Sequence, residues 1–172
     1  MRCACFVTKV ADPTIGRVNT KAIGEISEAV ILAEFLRAGF PVLLPFGDNQ
    51  RYDMVVEADG GFLRVQCKTA RRIHGGAVLC FSAHSGVWGV GDRAVSRRQP
   101  CRGDVDLFAV YSPDTRQVYV LEVGQVPVTD VWMRLEPARN NQRARIRHAE
   151  EHTLEAWAAR TGAAQFSGAS AP

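Results

Sequence analysis

Apolar positions along the chain repeat with two different periods, and each period predicts its own element. From Thr20 the spacing is helical: Ile26, Ala29, Val30, Ala33 and Leu36 recur three and four residues apart. Thr20 stands where a cap is needed, and Gly39 with Pro41 supplies a stop, so the spacing predicts a helix over 21–38. Pro41 to Pro45 reads as a short strand, and Gly47-Asp48-Asn49-Gln50 as a loop. From Tyr52 to Lys68, in YDMVVEADGGFLRVQCK, the period falls to two on either side of Asp-Gly-Gly. Asp-Gly between two such runs predicts a β-hairpin, because both central residues of its tight turn need positive φ.

Beyond Lys68 the chain passes Arg71, Arg72, His74 and a Gly75-Gly76 break into a strand over 77–83. The stretch from His84 to Gly103, rich in Gly, Arg and Ser, reads as a long exposed loop. Strands over 105–111 and 117–123 flank Ser112-Pro113-Asp114-Thr115, a second hairpin, and weaker strand patterns cover 126–129 and 131–135. A helix is expected around 140–160 with Ile146, Ala149, Leu154 and Trp157 inward, then a frayed Gly/Ala/Ser-rich tail over 161–172. Residues 1–18 follow neither period, as a leader or an extra strand would. A helix, several strands with two hairpins, and a second helix define an α/β or α+β fold: a mixed β-sheet flanked by helices.

Composition narrows the class. At 172 residues, 47% apolar and 23% charged, the chain fits one ordinary soluble domain with a sizeable core, over about 19–160. No apolar run approaches the ~20 residues of a membrane span, and Met1 to Thr14 lacks the apolar region of a signal peptide, which points to the cytoplasm and to no membrane partner. Five cysteines, an odd number without paired CxxC motifs, read as reduced structural thiols. No GxGxxG or GxxxxGK[ST] motif offers a nucleotide cradle. The net charge is only +3, but the second half carries the clusters RR, RR and RARIR.

Candidate chemistry comes from the first hairpin. With Asp59-Gly60 as a two-residue loop, Ala58 faces Gly61 and Asp53 faces Gln66, with Cβ atoms about 4.5–5.5 Å apart. Lys68, two residues on, shares that face. Sliding the loop to Gly60-Gly61 pairs Asp53 with Lys68 instead and keeps the constellation; only an odd loop breaks it. The competing reading is an ordinary solvated sheet face, since Leu63, Val65 and Cys67 already supply an apolar one. Glu28 weighs against it. This carboxylate borders the apolar stripe of the first helix, which is costly unless it is paired or bound to a cation. Glu25, one turn earlier, is explained by its position at a helix start. Two carboxylates and an amide oxygen suit Mg²⁺, and a neighbouring lysine can orient or deprotonate a water attacking a phosphodiester.

Asp53, then Gln66-Cys67-Lys68 on the next strand, with Glu28 on a preceding helix, resembles the PD-(D/E)XK nuclease superfamily. The block KAIGEISEAVILAEFLRAGFPVLLPFGDNQRYDMVVEADGGFLRVQCKTA is similar to its branch of group I intron-encoded homing endonucleases, related to archaeal Holliday junction resolvases. VDLFAVYSPDTRQVYVLEV and the EPARNNQRARIRHAE segment extend the likeness more loosely. The resemblance implies a restriction-endonuclease-like fold and a Mg²⁺-dependent DNA endonuclease, with Mn²⁺ as an alternative ion. It implies Asp53, Gln66 and Glu28 as metal ligands, and Lys68 as the catalytic lysine. Gln66 departs from the Asp or Glu of most members and costs one negative charge. Intron-encoded members resemble this chain in carrying Gln there, yet a catalytically inactive nucleic-acid-binding module on the same scaffold is the alternative. A third reading makes the hairpin face a protein-interaction surface.

In a nuclease, Arg71, Arg72, Arg93, Arg97, Arg98 and Arg102 are candidates for a groove that tracks DNA phosphates. Arg139, Arg143 and Arg147, at four-residue spacing, fit DNA contacts or a solvated helix face equally, and Asn140, Asn141 and Gln142 fit contacts or a cap. His148 and His152, one helical turn apart, lack a third ligand for zinc. Trp88 could stack on a nucleotide, whereas Trp132 and Trp157 read as core. Cutting two strands with one site per chain favours a homodimer or homotetramer. If residues 1–18 are a leader, trimming to Thr20 leaves plasmid nicking intact; loss of nicking in that truncation refutes the assignment.

Overall fold

The first helix, α1 (Thr20–Arg37), is capped by Asn19 and not by Thr20. The Asn19 side-chain oxygen accepts from the backbone N–H groups of Lys21 and Ala22 at 3.2 and 3.3 Å, satisfying donors that a helix start leaves open. At the other end Gly39 follows with φ +85°, a left-handed conformation that glycine takes without a Cβ clash. The computed structural model describes residues 19–47, 50–87, 97–137 and 146–161. The expected leader and most of the tail lie outside the described residues, as do Trp88, Arg93, Arg139, Asn140, Asn141, Gln142 and Arg143.

α1 buries Ser27, Ile31 and Phe35, a line of four-residue steps. Ile26 and Leu36, expected to point inward, are exposed. Apolar residues lie nearly all round this helix, so packing chooses the face where periodicity leaves it open.

The strands, in chain order, are β1 (Val42–Leu43), β2 (Met54–Ala58), β3 (Gly61–Thr69), β4 (Arg71–Ile73), β5 (Val78–Ser82), β6 (His84–Val87), β7 (Arg97–Pro100), β8 (Leu107–Ser112), β9 (Gln117–Glu122) and β10 (Asp130–Arg134), and the second helix is α2 (Leu154–Thr161). A five-stranded sheet runs β1-β2-β3-β8-β9, and a three-stranded sheet runs β10-β5-β4. β3 and β8 pair in parallel and the other neighbours antiparallel, so the main sheet is mixed. The β2–β3 hairpin has the expected register, Ala58 opposite Gly61 and Met54 opposite Val65. Its loop residues Asp59 and Gly60 have φ +51° and +70°, as a two-residue turn of this kind requires.

Strand alternation divides the core between two layers. Val65, Leu107, Ala109, Val118 and Val120 pack with Ile31, Phe35, Leu154 and Trp157 of the helices. Phe108, Val110, Tyr119 and Leu121 point the other way, onto Leu79, Phe81, Val131 and Met133 of the smaller sheet. The main sheet is thus covered by helices on one face and by a second sheet on the other, as expected for its two-sided apolar pattern.

Several regions depart from the sequence-based expectation: β4 is unexpected, and 126–129, expected as a strand, is irregular, with β10 beginning only at Asp130. The stretch from His84 contains an antiparallel pair, with His84 opposite Pro100 and Val87 opposite Arg97; backbone hydrogen bonds carry such a ribbon whatever its side chains. Residues 140–145 of the helix expected over 140–160 lie outside the described residues, and the described part, 146–160, is helical in α form only from Leu154. Arg134 N donates to Arg147 O at 2.8 Å and Arg134 bridges to His148, drawing Arg147 and His148 alongside β10. A 3₁₀ turn at Ala149–His152 follows, and Thr153 then caps α2 by accepting from Ala156 N at 3.2 Å. His148 is extended, so it does not stand one α-helical turn before His152. Trp132, expected in the core, is 54% exposed because it alternates with buried Val131 and Met133.

Trp157 is core. Its ring lies 5.9 Å from Phe35 in an edge-on contact and 5.0 Å from Phe40. Trp157→Ala is expected to cost about 3–5 kcal/mol, seen as a lower urea midpoint with an unchanged m-value.

Candidate active site

The site forms where β2 begins beside the middle of β3. Asp53 N donates to Val65 O at 2.9 Å, continuing the hairpin ladder by one residue. The Asp53 carboxylate then accepts two hydrogen bonds, from the Gln66 side-chain amide and from Cys67 N, each at 2.5 Å. With its nitrogen committed to Asp53, the Gln66 amide has its oxygen left for another partner. Lys68, two residues along β3, donates from Nζ to the carbonyl of His84 at 3.2 Å. Asp53, Gln66 and Lys68 are therefore together, as the register predicts.

Glu28 reaches the site from the helical layer. Ser27 Oγ and Thr69 Oγ1 are 2.6 Å apart, tying α1 to the end of β3, and the next residue, Glu28, lies within the field of Asp53. Burial raises the Glu28 carboxyl above its ordinary value, and repulsion from Asp53 adds to the rise. Glu25 is exposed and pairs with Lys21 at 3.9 Å, an exposed i,i+4 pair of little energetic weight. The structure separates the two acids in favour of Glu28.

Burial dominates the electrostatics of the hairpin residues as well. It raises the Asp53 carboxyl, against the hydrogen bonds from Cys67 and Gln66 and the charge of Lys68. It lowers the Lys68 ammonium, an effect that Asp53 opposes and Arg51 reinforces. A solvated sheet face would leave these groups in water, so the strand carrying Gln66 and Lys68 is not one. Burial also pushes the Cys67 thiol well up, with Asp53 and Glu28 adding to it, which keeps it a neutral packing residue.

Arg51 escaped the sequence reading. It pairs with Asp104 at 3.0 Å and bears on Lys68 from two residues before Asp53; its position in register with Asp53 was the available signal. Arg64, which shares the face of Gln66, is instead a structural tie: its guanidinium meets both oxygens of Asp106 at 3.0 Å, joining β3 to the approach of β8. The partner arginine holds the Asp106 carboxyl below its usual range.

The arginine candidates fall in different places. Arg71 and Arg72 are exposed on β4, and Arg72 Nε donates to Gly76 O at 2.8 Å. Arg97 and Arg98 lie on β7. Arg102 donates to the carbonyls of Gly124 and Val126 at 3.5 and 3.4 Å, bracing the segment after β9. Among the described residues no three His, Cys, Asp or Glu side chains form a metal-binding group. The donor set present, two carboxylates raised by burial, Glu28 further by the charge of Asp53, plus an amide oxygen, fits a hard cation that retains waters and takes only one or two protein carboxylates.

A mixed sheet with a helical acid, an acid at the hairpin's first strand and a lysine on its second defines a nuclease of the restriction-endonuclease-like class. Comparison with known proteins identifies the family. The sequence model of the PD-(D/E)XK endonuclease family matches residues 18–155, and the chain belongs to that family. The fold is similar to that of a bacterial homing endonuclease, I-Ssp6803I, with TM-score 0.62 and 24% identity over 83% of this chain and 93% of that one. No curated protein matches the chain.

The raised carboxyls have a consequence for stability. A group whose folded pKa exceeds its unfolded value contributes stability below the unfolded pKa, and loses it as pH rises through the folded pKa. Asp53 and Glu28 both shift this way, so at neutral pH their ionised forms oppose folding in chelator. Asp53→Asn is expected to raise the Tm of chelator-treated protein at neutral pH and to lose that advantage below about pH 4. Thermal melts at the two pH values check it; a lower neutral Tm for the variant counts against it.

Proposed function

We propose that this endonuclease is a Mg²⁺-dependent DNA endonuclease of the homing or junction-resolving type, and that Asp53, Glu28, Gln66 and Lys68 are its catalytic machinery. The observation that carries the reading is the meeting of Asp53, Gln66 and Lys68 at the hairpin base with Glu28 across from them. Asp53, Glu28 and the Gln66 oxygen would hold the ion. When bound, Mg²⁺ supplies a more acidic water and neutralises charge on the phosphoryl oxygens.

The chain's own side chains do the remaining work. Cys67 N and the Gln66 amide fix the orientation of the Asp53 carboxylate. The His84 carbonyl holds Lys68 in place. Burial weakens that ammonium's hold on its proton, which brings Lys68 nearer to the range where it can exchange a proton with a water attacking phosphorus. As an ammonium it also offsets the charge that builds on the transition state. The homing reading draws support from the similarity of the fold to I-Ssp6803I. A homodimer or homotetramer follows as the simplest way for one site per chain to cut two strands.

Lys68→Ala is expected to lower nicking of supercoiled plasmid in Mg²⁺ by on the order of a hundredfold or more while DNA still shifts in a gel. Chelator should abolish nicking by the parent. A Lys68→Ala protein that nicks at the parental rate excludes the assignment.

A further inference from the structure

A second face, remote from the carboxylates, has the chemistry of a nucleotide site. On the outer side of the smaller sheet, Arg71 and Trp132 both stand opposite Cys80, one from each neighbouring strand, and so share a face. The next pair along, Ile73 and Arg134, both stand opposite Val78. A cavity of about 400 Å³ opens here, lined by His74, Val78, Trp132, Arg134, Ile146 and Arg147. Among the described residues, two arginines and no carboxylate line it. Arg134 Nε is shut off from water and lacks a hydrogen-bond partner among the described residues. Arg147 has one donor on Gln125 O at 2.9 Å, and burial lowers its pKa, as for a cation without a counter-charge. An anion in the cavity would compensate both guanidiniums.

The aromatic ring sets the rest of the ligand. His74, in a left-handed conformation with φ +51°, brings its ring edge-on to Trp132 with centroids 5.3 Å apart. The indole is thereby braced on one side while more than half of the residue remains exposed. A braced, exposed indole beside an anion-seeking pair of guanidiniums matches a base and its phosphate. The face lies a short chain distance from the candidate active site. β4 follows β3 after Ala70 alone, and the backbone path from Lys68 along β3 and across β4 and β5 to Trp132 is at most about 20 Å.

We propose that Trp132, with Arg134 and Arg147, binds an unpaired nucleotide of the DNA substrate, the base against the indole and the phosphate between the guanidiniums. This rests on the reading of the chain as a DNA endonuclease and specifies its substrate: DNA presenting a single-stranded nucleotide, since a base inside a duplex has no free face for stacking.

Titration of tryptophan emission with single-stranded oligothymidylate, in chelator so that nothing is cleaved, tests it. The parent should show quenching that Trp132→Phe removes, and Trp132→Ala should bind about tenfold more weakly. The Arg134→Gln/Arg147→Gln protein should show a log–log salt slope shallower by roughly 0.7, the one single-strand phosphate held between the two guanidiniums. A blunt duplex should quench less. Equal affinity of Trp132→Ala and parent, quenching that persists in Trp132→Phe, or equal quenching by the duplex overturns the proposal. So does absence of binding at low salt, which would assign this face to a protein contact. Because Trp132 is exposed, its variants should fold normally. Plasmid nicking by the parent, run in parallel, separates the two readings: nicking without quenching removes the nucleotide site alone, and quenching without nicking removes the endonuclease reading alone.

Discussion

The turn at Asp59 and Gly60 sets the geometry on which the site depends. Two consecutive residues with positive φ close the β2–β3 hairpin in one register, and a slip of one residue would send Gln66 and Lys68 to the helical layer and Cys67 to the other. The register is reinforced at its far end by the site itself. Asp53 takes hydrogen bonds from the backbone of Cys67 and the side chain of Gln66, so the acid stitches the hairpin base while the turn closes its tip. The geometry of the candidate site and the strand pairing thus share the same bonds, and a loosened turn would be felt first at the carboxylate.

Around that hairpin, each layer contributes one constraint. The helical layer brings Glu28 in through the Ser27–Thr69 contact. The smaller sheet covers the opposite face, and His84, at the start of β6, supplies the carbonyl on which Lys68 rests. Burial from both sides makes the charges costly: it raises two carboxyls and lowers one ammonium in the same small volume. A fold that retained such groups for packing alone could do better with apolar residues, so their convergence is a stronger sign of chemistry than any one shift.

What could be read from the sequence was local. The Asp-Gly turn, the alternation of β3 and the placement of Asp53, Gln66 and Lys68 follow from counting, and the structure agrees. Glu28 was legible from its place beside an apolar stripe, though the stripe itself was misjudged at Ile26 and Leu36, because α1 is apolar nearly all round. The burial of Lys68 was not legible, since its cover comes from His84 and Cys101, far along the chain. The shortened last helix has the same origin: Arg147 answers to β10, and no local pattern announces that pairing. Trp132 is the opposite case. Alternation with Val131 and Met133 places it on the outer face, whereas a tryptophan's size argues for core, and the alternation decides.

Gln66 stands where the motif that gives the PD-(D/E)XK family its name has Asp or Glu, and the amide has its own work here. A carboxylate at this position would stand against Asp53 and add repulsion to an acid already raised by burial. The amide instead donates to Asp53, which favours its ionised form, and it still presents an oxygen. The exchange gives up one charge toward a cation and in its place fixes the Asp53 carboxylate and offsets part of the rise that burial imposes on it. Within a site walled by two sheets and a helix, where every uncompensated charge is expensive, preorganising one carboxylate is a physically reasonable substitute for adding another.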